Sequence, residues 1–169
     1  MMSNDRPRIK VPLESFDVVL ELISITLIIL MWVYLIVEYQ ELPETIASHF
    51  NAKGEADGYS SKNYLWFLPI ISTVMYVSLF MINKFPHTHN YMVNITEENA
   101  LKNYRFSTRI VRVVNTLTVI MFAYIIYYIV QNAKEHDMQF SSWFVPSVIS
   151  FSILLPIGIY LYYKKINKS

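Results

Sequence analysis

Long apolar runs alternate with short polar segments along the chain, and this pattern predicts four membrane-spanning helices. The runs cover 18–37, 64–82, 113–130 and 143–163, and each has few charged residues. About 20 mostly apolar residues are needed to cross the hydrocarbon core of a bilayer, and all four runs approach or reach that length. We therefore expect an all-α integral membrane four-helix bundle that forms one domain over residues 1–169.

The segments between the runs differ in character. Segment 38–63 contains two of the three glycines of the chain, Gly54 and Gly58, and is expected to form a structured loop. Segment 83–112 begins irregularly, but nothing after Thr96 breaks a helix. We expect the third helix to start near residue 96, before its span, and to continue to residue 130.

The positions of Lys and Arg predict the orientation of the helices. Cationic segments tend to stay in the cytoplasm, and eleven of the 14 cations fall on one side of the predicted spans. Both termini and segment 83–112 are therefore expected to be cytoplasmic, with loop 38–63 outside, in a bacterial cytoplasmic membrane. The first run is also longer than a signal-peptide core, so we expect it to be retained. The three cations on the outer side are Lys53, Lys62 and Lys134.

Composition narrows the classes of function. The chain is 54% hydrophobic and 16% charged, whereas soluble domains are about 45–50% apolar and about 25% charged. Its net charge of +1 gives no basic surface for nucleic acid, and the absence of cysteine excludes thiolate and disulfide chemistry. His87 and His89 lack acidic neighbours and are expected to be solvated loop residues. We expect no metal, no cofactor and no catalytic activity, since no hydrolase, zinc or phosphate-binding motif is present.

Two charged stripes at the ends of spans are expected to meet. Residues at these spacings share one helix face, so one stripe lies on the first helix and the other on the third. Charges at the edge of hydrocarbon are usually paired, which predicts a structural charge clamp between the two helices. A proton relay is the alternative, but no ionisable group follows deeper in the spans. The stripes consist of Glu14, Asp17 and Glu21, and of Arg105, Arg109 and Arg112.

Loop 38–63 carries the most specific pattern. Pro43 suits the first turn of a short helix ending near Ser48, and His49, Phe50 and Asn51 are expected to be extended after it. Asn51 and Gly54 occupy the first and fourth places of a predicted turn, and Asp57-Gly58 predicts a second turn. The pattern resembles the signature of the membrane family called domain of unknown function 1648. Its positions are Leu42, Pro43, Ile46, His49, Phe50, Asn51, Gly54, Asp57, Gly58, Tyr59 and Lys62.

The resemblance indicates which proteins are related to this chain, but it does not by itself indicate a biochemical activity. The same module forms the front part of Sdp-type immunity proteins, which protect bacteria from a membrane-active peptide toxin and signal to a repressor. Together with this resemblance, the polar loop residues His49, Asn51, Asp57 and Lys62 suggest a sensor, immunity or accessory protein. Its outer loop would recognise a peptide, a lipid headgroup, a metal or a protein partner. A purely structural loop is the alternative interpretation, and a subunit of an oligomeric transporter or channel is the alternative function.

Overall fold

The computed structural model describes residues 6–51, 53–135 and 143–167. Its helices are α1 (Ser15–Glu38), α2 (Phe67–Ile82), α3 (Glu97–Glu135) and α4 (Phe144–Ile166), and its strands are β1 (Thr45–Phe50) and β2 (Ala56–Ser61). Short 3-10 turns lie at Tyr39–Glu41, Lys62–Trp66 and Pro86–Thr88. Four helical stretches are long and apolar enough to cross a membrane, as the four apolar runs predicted: Ser15–Glu41, Lys62–Ile82 (the 3-10 turn together with α2), Glu97–Lys134 and Phe144–Ile166.

The third helix is a single rod of 39 residues that begins at Glu97, well before its apolar part. This confirms the predicted extension of the helix ahead of its span. The sequence of α3 has no proline or glycine, so nothing interrupts its backbone hydrogen bonds.

The chain divides into two compact units. The first consists of Met1–Leu30 with Ile70–Phe122, and the second of Met31–Pro69 with Ala123–Ser169. In the first unit the helices are joined by polar contacts. The Ser24 and Thr116 hydroxyls lie 2.9 Å apart, and the Asn115 side-chain amide donates to the Tyr76 carbonyl at 3.2 Å. Such contacts hold helices together where lipid provides no hydrophobic drive.

The second unit contains a two-stranded antiparallel sheet, which departs from the predicted all-α fold. Strands β1 and β2 and the turn between them are called the hairpin below. The predicted short helix from Pro43 to Ser48 is wrong, because Thr45 to Ser48 belong to β1. Thr45 and Ile46 are β-branched and favour a strand, and Ile46 and Ala47 bury their side chains.

The predicted second turn at Asp57-Gly58 is also wrong, because both residues lie inside β2. The first turn is present, since the Gly54 amide donates to the Asn51 carbonyl at 2.9 Å. Gly54 has φ of 85°, a left-handed conformation that favours glycine. The turn at Asn51 to Gly54 therefore reverses the chain direction, and the segment at Asp57 and Gly58 continues as a strand.

Candidate functional site

The hairpin holds the predicted loop residues, and its pairing is irregular at its centre. His49 pairs with Gly58, and the register skips Ser48 on β1 and Asp57 on β2. Such bulges redirect side chains. A Cβ at position 58 would lie 2.9 Å from the Cβ of His49, so the two strands approach this closely only because residue 58 is glycine.

One group of loop residues satisfies the hairpin itself. The Asn51 side-chain oxygen accepts from the amides of Lys53 and Glu55 at 2.8 and 3.1 Å, which fixes the turn. The Lys62 ammonium donates to the Leu42 carbonyl at 3.0 Å, and its side chain is only 13% exposed. The side chains of Asn51 and Lys62 therefore hydrogen-bond to the backbone of the loop itself.

Further contacts fix the ends of the hairpin. The Lys62 ammonium lies 3.1 Å from a Glu44 carboxylate oxygen and 5.1 Å from the centre of the Tyr39 ring. The Phe50 ring meets the Tyr128 ring edge-on at 5.5 Å between centres. Pro43 is exposed in the short link between the Tyr39–Glu41 turn and β1.

A second group of loop residues points outward. The side chains of His49 and Asp57 are 74% and 43% exposed, and His49 Nδ1 hydrogen-bonds Asp57 Oδ1. Tyr59, two residues beyond Asp57 on the same strand, is 67% exposed. Side chains two apart on a strand share a face. The hairpin therefore presents an imidazole held by a carboxylate, and an aromatic ring, toward its surroundings.

The two predicted charge stripes lie together in the first unit and form one set of ion pairs, called the charge network below. Asp17, whose side chain is 2% exposed, lies 3.1 Å from Arg109 Nε and 3.6 Å from an Arg112 nitrogen. Arg112 Nε also donates to Glu21 at 3.1 Å. At the exposed end of the network, Glu14 pairs with Arg105 at 3.0 Å and with Arg109.

Two contacts complete the charge network. The Tyr76 hydroxyl of α2 donates to Glu21 at 2.7 Å, so the deepest carboxylate is held by two helices. Asp17 also accepts the backbone amide of Glu14 at 3.0 Å, at the start of α1. The two stripes in the sequence indicated the six charged residues. Tyr76 belongs to neither stripe, and it lies 55 positions from Glu21, so the sequence did not predict this contact.

His89 does not lie free in solvent as the sequence indicated. Its ring is half-buried, and Nδ1 lies 2.6 Å from the Ser107 hydroxyl of α3. No spacing rule connects these residues, so the sequence could not have paired them. Among the described residues, no group of three or more His, Cys, Asp or Glu side chains is arranged to hold a metal ion.

Comparisons with known proteins match the segment around the hairpin. A family model described as Domain of unknown function (DUF1648) matches residues 26–73. An uncharacterized protein of Archaeoglobus fulgidus is 32% identical over 77 residues, which are 46% of this chain and 42% of that protein. The chain thus aligns with less than half of this curated relative's length. No solved structure matches the chain. Segment 26–73, which contains the hairpin, is therefore similar to the DUF1648 model, as the loop pattern indicated.

Proposed function

We propose that this chain is a multi-pass membrane protein that binds a peptide or protein partner through its hairpin. The observation that carries the proposal is the division of the loop residues into two groups. Asn51 and Lys62 are used inside the loop, whereas His49 and Tyr59 are 74% and 67% exposed. Loops on rigid scaffolds commonly carry binding residues, and exposed tyrosine is enriched at interfaces.

The outward group is suited to recognition because its geometry is fixed in advance. Asp57 orients the imidazole of His49 through Nδ1, and Gly58 leaves room for the Cβ of His49. A side chain that is already ordered loses less conformational entropy when a partner binds. The exposed Nε2 of His49 is then available to a donor or acceptor group of the partner.

The proposed setting is a bacterial cytoplasmic membrane with the hairpin on its outer side. Eleven of the 14 cations lie on the side opposite to the hairpin in the sequence order of the spans, which supports this orientation. Within the sensor, immunity and accessory roles that the resemblance implies, the partner is a membrane-active peptide or a neighbouring membrane protein. We propose a binding role rather than a catalytic one.

The transporter or channel alternative receives less support from the helices. A polar path requires groups that are left open to solvent or substrate. In the first unit the Ser24 hydroxyl bonds that of Thr116, and Asn115 donates to a carbonyl of α2. These contacts join helix to helix, which favours a packing role.

The test uses a photoreactive benzoyl-phenylalanine at position 59 of the full chain in bacterial membranes. Membrane-active peptides are added one at a time, and covalent adducts are measured after illumination. We expect a one-to-one adduct with a subset of the peptides. His49→Ala in the same background should reduce its yield about tenfold, the size of effect typical of an interface hot spot.

A matched control separates binding from folding. Lys53→Ala, which removes an exposed side chain in the turn and keeps the backbone amide that donates to Asn51, should leave the adduct unchanged. An absence of adducts across the peptide panel and with the native membrane proteins contradicts the proposal. Loss of the His49→Ala protein from the membrane would make the hairpin a structural element instead.

A further inference from the structure

Strand β2 of the hairpin has an open edge. In the part of the chain that the structure describes, the sheet has two strands, so β2 has a strand on one side of it. A strand edge presents backbone amides and carbonyls that can pair with another chain. The six residues of β2 include no proline and no lysine, which often protect such edges, and none of the six is buried. The edge of β2 is therefore suited to receive a further strand.

The hydrogen-bond pattern identifies the backbone groups that lie on this edge. The Lys62 amide donates to the Glu44 carbonyl at 3.0 Å, just beyond the pair formed by Thr45 and Ser61. Hydrogen-bonded and non-hydrogen-bonded pairs alternate in an antiparallel ladder. The pair of Thr45 and Ser61 is therefore non-hydrogen-bonded, and so is the pair that contains Tyr59, two residues along the strand. The backbone amides of Tyr59 and Ser61 consequently point away from β1.

The two strands differ in how far they are covered. In β1, the side chains of Ile46 and Ala47 are both 3% exposed. In β2, Tyr59 is 67% exposed, and Ser61 is exposed as well. A third strand is therefore expected beside β2 rather than beside β1.

The charge of the segment narrows the class of chain that the edge would accept. Segment 38–63 contains five acidic residues and two lysines. Lys134 of α3 adds one more cation, which pairs with both Glu38 and Glu41. Acids still outnumber cations after this contribution. The remaining negative charge favours a cationic partner.

Two of these acids lie at the edge strand itself. Glu55 directly precedes β2, and Asp57 lies within it. Glu55 accepts a hydrogen bond from the side-chain amide of Asn51 at 2.8 Å, and Asp57 is hydrogen-bonded to the imidazole of His49. Neither contact supplies a fixed positive charge. Cationic side chains of a neighbouring strand would supply it.

We propose that the partner of the hairpin is an extended cationic peptide segment that adds to the open edge of β2 as a third strand. This inference rests on the binding role proposed above and specifies how the partner is held. The backbone of the peptide bonds to the amides of Tyr59 and Ser61, and its cationic side chains lie near Glu55 and Asp57. Two-stranded hairpins are marginally stable by themselves, so a third strand also stabilises the hairpin.

Ser61 allows the edge to be blocked while the ladder stays intact. Its φ is −60°, which is the value that proline adopts, and its amide points away from β1. Ser61→Pro therefore removes an outward amide without removing a hydrogen bond between the strands. Ser61→Ala is the matched control, because both variants lose the hydroxyl that accepts from the Asn63 amide at 3.4 Å. The difference between the two variants measures the outward amide.

The probe is a peptide of alternating lysine and valine, about eight residues long, which exceeds the usual length of a strand. It is added to the full chain in phosphatidylcholine nanodiscs, with photoreactive benzoyl-phenylalanine at position 59. We expect adducts in the Ser61→Ala background and about tenfold fewer in Ser61→Pro, because a hydrogen bond is lost and the proline ring obstructs the edge. A carbon-13 label in a central carbonyl of the peptide should shift to the lower infrared frequency of paired strands.

Two further peptides test the backbone and the charge separately. The same peptide with every backbone amide methylated keeps its charge but cannot donate to a strand edge. A peptide of alternating glutamate and valine keeps its amides but reverses the charge. Each should give about tenfold fewer adducts than the lysine peptide. Hydrogen exchange of the β1 and β2 amides checks that Ser61→Pro and Ser61→Ala keep the hairpin.

Several results would overturn strand addition. They are an absence of adducts with the lysine peptide, equal yields in Ser61→Pro and Ser61→Ala, and equal yields with the methylated or the glutamate peptide. Adducts between two copies of the chain that disappear in Ser61→Pro would assign the edge to self-association instead. If Ser61→Pro loses the hairpin, the methylated peptide decides.

These failures are distinguishable from a failure of the binding role itself. Adducts that form equally in Ser61→Pro and Ser61→Ala leave the hairpin as a binding site and show that its partner is not held as a strand. The binding role fails when neither the peptides nor the native membrane proteins form an adduct at position 59.

Discussion

The charge network and the hairpin are both rich in polar side chains, yet they use them in opposite ways. In the network, Asp17 is 2% exposed and each carboxylate meets at least one arginine. In the hairpin, His49 and Tyr59 are largely exposed, whereas the side chains of Asn51 and Lys62 form hydrogen bonds within the loop. The first arrangement is typical of architecture, and the second is typical of recognition.

The arginine stripe is used within the protein, as the spacing of the charged residues predicted. Arg105, Arg109 and Arg112 each pair with an acid of α1. The matched family segment, 26–73, contains the hairpin but none of the six network residues.

The largest predicted effect is at Asp17. Asp17→Ala leaves Arg109 and Arg112 without their buried partner and removes the contact with the Glu14 amide. Breaking a buried ion pair from one side costs about 3–5 kcal/mol, so we expect a loss of that size. Denaturant titration in detergent measures it. A change below about 1 kcal/mol would mean that the network is not architecture.

A charge exchange tests whether the deepest pair acts as a unit. Glu21→Arg and Arg112→Glu should each destabilise the protein by about 3 kcal/mol, because each places like charges together. The double variant should recover more than half of the combined loss, as expected for residues in contact. Two independent losses that simply add would contradict a clamp between α1 and α3.

Gly58→Ala tests the space reserved for His49. The added methyl carbon would lie 2.9 Å from His49 Cβ, and we expect a cost of about 1–3 kcal/mol from overpacking. Hydrogen exchange of the β1 and β2 amides measures it. Gly158→Ala is the matched control, since nothing lies within 4 Å of that position, and it should leave stability unchanged or slightly raised. Equal behaviour of the two variants would remove the steric argument.

A smaller effect should follow pH through His89. Because burial lowers the pKa of His89 in the folded protein, the unfolded chain binds more protons just below pH 6.5. Stability is therefore full above about pH 6.5 and falls as the pH drops through that value toward the folded pKa. Comparison of the wild type with His89→Gln in denaturant titrations isolates this contribution. A loss that is the same in both proteins would assign it to other groups.

The sequence predicted what depends on composition and periodicity. Four spans, the long third helix and the facing stripes follow from apolar length and helical spacing. The hairpin strands were missed because Pro43 and Glu44 also suit a helix start, and only pairing with β2 decides between them. The contact between Arg6 and the His89 carbonyl joins residues 83 positions apart, and no local pattern encodes such a contact.

The most direct test of the account is the stability of His49→Ala and Asp17→Ala measured side by side, together with the position-59 adduct yield. We predict that His49→Ala stays within about 0.5 kcal/mol of the wild type, as exposed substitutions usually do, while its adduct yield falls about tenfold. Asp17→Ala should lose about 3–5 kcal/mol. If His49→Ala instead loses as much stability as Asp17→Ala and keeps its adduct yield, the hairpin is architecture and the binding role is wrong.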